Sequence, residues 1–209
     1  QAPALRASSK AVQASMFEEG DIGAVIAEPM RCTTIDRPPD AYWRRVRELC
    51  DRHGTLLIFD EIPLALGRTG RMFCCEYSDV TPDILVLGKG LGGGVMPMAA
   101  TIVRADLDIM QQRALGHYTH EKNPVGAAAA LATLDVIESD NLLERSRKLG
   151  AETLEELRKL QQRHNAITDV RGLGLSMGVE VSSPDTAERI LYDCLENGLS
   201  FKVSGGTVL

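Results

Sequence analysis

Short apolar runs alternate with longer helical patterns along this chain. Ala24–Glu28, Leu56–Phe59 and Ile84–Leu87 each have about the length of a buried strand, and each stops at a residue too polar to continue it. The stops are Glu28, Asp60, and Gly88 followed by Lys89. Between the first two runs, Trp43, Val46, Leu49 and Cys50 fall on one face of a helix predicted over Ala41–His53. Asp40 is placed to cap that helix and Gly54 to end it. Strand, helix, strand in this order predicts a right-handed parallel crossover.

Around these elements, Gln1–Met16 carries one amphipathic helical pattern, Pro63–Asp79 reads as a long glycine-bearing loop, and Met98–Val103 is strand-like. Ala105–Leu115 is expected to be helical, His117–Pro124 a polar loop, and Val125–Glu138 an alanine-rich helix suited to close packing. Asn141–His164 is a charged amphipathic helix whose expected buried stripe is Leu142, Leu149, Leu154, Leu157 and Leu160. Ala166–Val181 reads as two short strands, Asp185–Asn197 as a helix closed by Gly198, and Leu199–Val203 with Thr207–Leu209 as a hairpin. The change from parallel alternation to helix and antiparallel strand divides the chain into a larger unit, 1–138, and a smaller α+β unit, 139–209.

Composition narrows the class. With 44% hydrophobic and 25% charged residues, the chain is an ordinary soluble globular sequence. No apolar run approaches the roughly 20 residues that cross a membrane, and no signal peptide opens the sequence, which favours the cytoplasm. A net charge of −6 provides no footprint for nucleic acid. The five cysteines lack paired spacing, as suits reduced thiols, and His117, His120 and Glu121 make a poor metal cluster, so no metal site is expected.

Candidate chemistry lies at the strand tips. Open parallel sheets bind ligands beyond the carboxyl ends of their strands, where Asp60 and Lys89 are expected. A nucleophilic lysine needs a neutral amine, which a partly desolvated pocket favours. Pyridoxal phosphate (PLP) chemistry uses such a lysine as its Schiff base and a carboxylate on the pyridine nitrogen. The plainer alternative makes Asp60 a loop cap and Lys89 a solvated turn residue. Gly88–Gly93 also spells GxGxxG, but Pro97 and a strand follow where a dinucleotide fold requires a helix, so that reading is rejected.

Ordered words along the chain add to this. AEP at Ala27–Pro29, FDEI at Phe59–Ile62, GRTG at Gly67–Gly70, PDILVLGKGLGGG at Pro82–Gly94 and NPVGAAAALATLDVIE at Asn123–Glu138 together resemble the class III PLP-dependent aminotransferases. That group includes the ornithine and 4-aminobutyrate aminotransferases. The resemblance implies fold type I: part of a large PLP-binding domain with a mostly parallel sheet and flanking helices, plus part of a small C-terminal domain. It implies Lys89 as the Schiff-base and proton-carrying residue, Asp60 on the pyridinium nitrogen and Ile62 against the ring face. Glu28 is implied near the cofactor, and Thr119 on the PLP phosphate of a partner subunit. The implied activity moves an amino group between an amino donor and a keto acid, in a homodimer with shared sites.

Three departures bear on the reaction. Pro63 stands where many relatives have a glutamine that contacts the cofactor's 3′-oxygen. RCTTID, Arg31–Asp36, replaces a glycine- and acid-containing turn, and Glu121–Lys122 replaces a glycine pair. These keep open an ammonia-lyase or decarboxylase with the same cofactor, for example one acting on an amino-phosphonate. Beside its relatives the chain also lacks upstream and downstream parts. It is therefore expected to be a piece of a full enzyme, the alternative being a truncated, inactive dimerising relative.

Overall fold

A computed structural model describes residues 22–109, 119 and 121–209 of the chain. Four strands form the main sheet in the order β1 (Ala24–Ala27), β2 (Leu56–Asp60), β3 (Ile84–Leu87), β4 (Ala100–Val103). The first three run parallel and β4 is antiparallel to β3. The expected mostly parallel α/β sheet is therefore present. The predicted helix at Gln1–Met16 and the two histidines, His117 and His120, lie outside the described residues.

Helix α1 (Asp40–His53) connects β1 to β2 and buries Trp43, Val46, Leu49 and Cys50, the face its periodicity predicts. It starts one residue earlier than expected: Pro39 holds the cap position, so Asp40 lies in the first turn and bonds Arg37. Gly54 ends the helix at φ 67, where a side chain would be strained. The core beneath the sheet joins α1 to Leu57, Phe59, Leu85 and Leu87. Trp43 meets Phe59 edge to face at 4.9 Å, and its indole donates to Pro29 O at 2.8 Å, holding the segment after β1 in place.

Helices α2 (Pro124–Ser139) and α3 (Leu142–Arg163) follow, then the antiparallel pair β5 (Ile167–Leu173) and β6 (Ser176–Val181), then α4 (Pro184–Glu196). Asn123 caps α2 through a 3.0 Å bond from Val125 N. In α3 the expected leucine stripe is only partly correct. Leu154 is buried, whereas Leu149 is exposed, and Ser146 and Gly150 are buried instead. The reason is close approach: a Cβ on Gly150 would overlap the Gly174 carbonyl in the β5–β6 turn.

Two further expectations need correction. Residues 105–109 make only a 3-10 turn, Ala105–Leu107, and the rest of the predicted helix falls largely outside the described residues. The terminal hairpin is shorter than expected, closed by an antiparallel bridge in which Ser204 and Val208 exchange backbone bonds at 2.7 and 3.0 Å. Leu209 also exchanges backbone bonds with Val179, and Val181 N donates to Thr207 O, so this end lies antiparallel beside β6, with residues 199–203 not paired to it.

Candidate active site

The site is built at the tips of β2 and β3. Asp60 is the last residue of β2 and pairs in register with Val86 of β3. After Leu87 the chain passes through Gly88 into a single 3-10 turn, Lys89–Gly92. Lys89 itself has φ 48, a left-handed conformation uncommon outside glycine. No α-helix follows this glycine segment, in agreement with rejecting a dinucleotide site.

Lys89 is exposed and, among the described residues, has no ion pair. It opens onto a cavity of about 950 Å³ whose wall includes Cys32, Ile62, Pro63, Arg68 and Arg145. A second, shallower hollow of about 520 Å³ is bounded by Lys89, Pro97, Met98 and Ala99. Ile62 and Lys89 thus share one cavity. Gly88 lies between them, and a Cβ there would stand 3.4 Å from Ile62 Cγ2.

Asp60 is half-buried and does not line that cavity. Its Oδ1 accepts a 3.0 Å bond from Ile62 N, a short loop-capping contact of the kind the plainer reading expects. Among the described residues Oδ2 has no hydrogen-bond partner. One carboxylate oxygen therefore fixes the turn that carries Ile62, and the other remains available to a ligand.

Glu28 lies just past β1. Its Oε2 accepts from Cys32 N at 2.6 Å, and Oε1 is 3.4 Å from the Arg31 guanidinium. Cys32 brings this group to the cavity. Its thiol is pushed above its ordinary value by burial first and by hydrogen bonding to the Glu28 carboxylate second, while Lys89 and Arg31 pull the other way. Lys89, Cys32 and Glu28 thus share one electrostatic neighbourhood. Thr119 is an exposed turn residue and does not line the cavity.

Two residues of this region escaped the sequence reading. Cys32 carried no signal beyond its place in a departing loop. Glu61 did carry one: it continues the inward alternation Leu57, Phe59, and all three have 0% exposure. An acid on the core side of a strand end is legible by period alone. Among the described residues, no group of three or more His, Cys, Asp and Glu is arranged to hold a metal ion. No helix among them is long and apolar enough to cross a membrane.

These residues fit PLP chemically. An unpaired lysine amine opens on a roomy cavity, an apolar Ile62 wall lies beside it, and a free carboxylate oxygen stands at the adjacent strand tip.

Comparison with known proteins follows the same line. The family model described as aminotransferase class-III matches residues 4–209. Over 200 residues the chain is 48% identical to (R)-1-hydroxy-2-aminoethylphosphonate ammonia-lyase of Vibrio splendidus (strain 12B01), covering 92% of this chain and 42% of that protein. Over 203 residues it is 41% identical to mitochondrial ornithine aminotransferase of Oryza sativa subsp. japonica, covering 93% and 40% respectively. The ornithine aminotransferase of Toxoplasma gondii, whose structure shows partial occupancy of PLP at the active site, superposes with a TM-score of 0.86 at 33% identity. That match covers 98% of this chain and 47% of the other. The chain spans less than half the length of each of these three proteins.

Proposed function

The chain belongs to the class-III aminotransferase family, and from that premise we propose that the whole protein is a PLP-dependent aminotransferase working through Lys89. It would move an amino group between an amino compound and a keto acid. The observation that carries this reading is the unpaired Lys89 amine at the tip of β3, beside the tip of β2 where Asp60 keeps one oxygen free.

When bound, PLP supplies an electron sink for the pair left when a bond at the amine-bearing carbon breaks. The protein's part is to hold and to move protons. The Lys89 amine would anchor the cofactor and would carry the proton to and from the reacting carbon. Asp60 would hold a proton on the ring nitrogen, Ile62 would pack against the ring, and Glu28 holds the backbone of Cys32 beside the cavity. Thr119 is assigned to the phosphate of a partner subunit, in a homodimer with shared sites.

The division into residues 1–138 and 139–209 is kept as part of this reading. It is supported by the four-stranded sheet ending at Val103 and the two-stranded one beginning at Ile167. A cytoplasmic location is kept as part of this reading, in which all five cysteines are free thiols.

The test uses the full-length protein purified with PLP. A lysine-bound PLP absorption band is expected, borohydride should fix the mass of the reduced cofactor on the peptide carrying Lys89, and Lys89→Ala should remove both. A band that persists in the variant, or label on another lysine, overturns the reading.

A second reading is favoured by the 48% identity to the Vibrio ammonia-lyase, which exceeds the 41% to the rice aminotransferase. In it, the same Lys89 site releases ammonia from an amino-phosphonate without an acceptor. Ammonia formed in the absence of any keto acid would select this second reading, and strict dependence on a keto acid would select the first.

A further inference from the structure

Glu61 lies between Asp60 and Ile62 in sequence, yet its side chain takes no part in the site described above. It has 0% exposure. Oε1 accepts a 2.7 Å bond from Cys75 N, fourteen residues along the chain. Oε2 is buried and has no hydrogen-bond partner among the described residues. A buried carboxyl with one oxygen left unmatched is costly, so its retention calls for a reason.

The backbone of Glu61 shows what that side chain is joined to. Its N–H donates to Val86 O at 3.0 Å, tying the end of β2 to β3 just before Gly88 and Lys89. Its carbonyl accepts from Leu64 N at 3.1 Å and Ala65 N at 3.0 Å, forming the turn that presents Ile62 and Pro63 to the cavity. The side chain then clamps the far end of the same loop at Cys75. Between these two ends lie Ala65, Leu66, Gly67 and Arg68, all of which line the cavity. One residue thus connects both strand tips, the Ile62 turn and the base of the cavity's loop wall.

We propose that Glu61 is a positioning residue whose buried side chain pins the 61–75 loop and thereby holds Asp60, Ile62 and the loop wall of the cavity in place. It touches neither substrate nor cofactor and acts through its neighbours. Burial pushes its carboxyl above the ordinary range, against the amides of Cys75 and Cys74 and the Cys75 thiol, while Glu76 pushes the same way as burial. No arginine or lysine is among these causes. The assignment rests on the PLP reading for its effect on the site, but the pinning itself does not.

The experiment compares the full-length protein with Glu61→Gln and Glu61→Leu. Glutamine keeps a neutral acceptor for Cys75 N, whereas leucine keeps the bulk and removes the acceptor. Hydrogen exchange at the Cys75 amide should be about tenfold faster in E61L, the scale of one lost hydrogen bond, and within about twofold of the parent in E61Q. With PLP as the titrant, E61L should bind about tenfold more weakly while its unfolding transition remains cooperative, and E61Q should restore the affinity. Two results overturn the proposal: parent-like Cys75 exchange in E61L, or E61Q failing as E61L does. Released exchange with unchanged PLP affinity overturns the link to the site. If the parent bound no PLP, the functional reading would fail, and the exchange data alone would still decide the pinning.

Discussion

Asp60 and Val86 are partners in the parallel register of β2 and β3, so the strand tip ending in Asp60 lies beside the one leading into Lys89. The two tips are adjacent because both strands run the same way, and Asp60 and Lys89 stand there without an ion pair between them. The contact between Asp60 Oδ1 and Ile62 N fixes the carboxylate's orientation without using its second oxygen.

Asp60→Ala should therefore separate binding from folding. The side chain is half-buried and makes one local bond, so the thermal midpoint should move little. The cost should fall on the cofactor, because a hydrogen bond to a charged group is worth about 1.5–3 kcal/mol. PLP affinity measured by absorbance titration should fall at least about tenfold. Unchanged affinity and turnover would remove Asp60 from the site.

Gly150→Ala tests the packing that displaced the expected leucine stripe of α3. The added methyl would overlap the Gly174 carbonyl, and Gly174 has no room to retreat: its φ is +54, and its own Cβ position lies 2.5 Å from the Thr69 carbonyl carbon. Alanine's better helix propensity, about 1 kcal/mol, works against a backbone overlap costing about 1–3 kcal/mol or more. A lower unfolding midpoint is expected in urea. An unchanged or raised midpoint would mean that helix and turn can slide apart freely.

How much of this was legible in the sequence depends on the range of the interaction. The strands, α1 and its buried face follow from local period, and so do Asp60 and Lys89 as strand-tip residues. Gly150 and Leu149 could not be placed that way, because a contact with Gly174 in a distant turn decides which face of α3 is buried. Glu61 was readable, since alternation from Leu57 and Phe59 points it inward, but an acid at that step reads as a strand end instead. Cys32 was not readable, because its significance comes from a loop folding back on Glu28.

Asp83 joins three strands of the main sheet and should set the acid limit of stability. Its side chain accepts from Leu57 N at 2.8 Å and from Arg47 at 2.8 Å, and it also pairs with Arg104 beyond β4. Burial works against the charged form, but these partners overcome it and hold the carboxyl below its ordinary value of 3.8. A depressed acid contributes stability that is complete above the unfolded value and is lost as pH falls through the folded one. Asp83→Asn should cost about 1.5–3 kcal/mol at neutral pH, because Arg47 loses its buried partner and keeps only the exposed Asp51. The variant should also flatten the loss of stability on acidification, as followed by urea unfolding at a series of pH values.

Glu61 should give the opposite slope, and the sign distinguishes the two acids. Its folded value is raised above 4.5 by burial, so the native state binds the proton more tightly than the unfolded chain. The contribution is complete below 4.5 and is lost as pH rises through the folded value. The groups that share this environment, Cys74, Cys75 and Glu76, offer no positive charge to offset the ionised form. Glu61→Gln cannot ionise, so its stability relative to the parent should improve steadily as pH rises from 4.5. Urea midpoints for both proteins across that range provide the measurement. Parallel curves would show that Glu61 keeps an ordinary carboxyl in the fold and would overturn this sign.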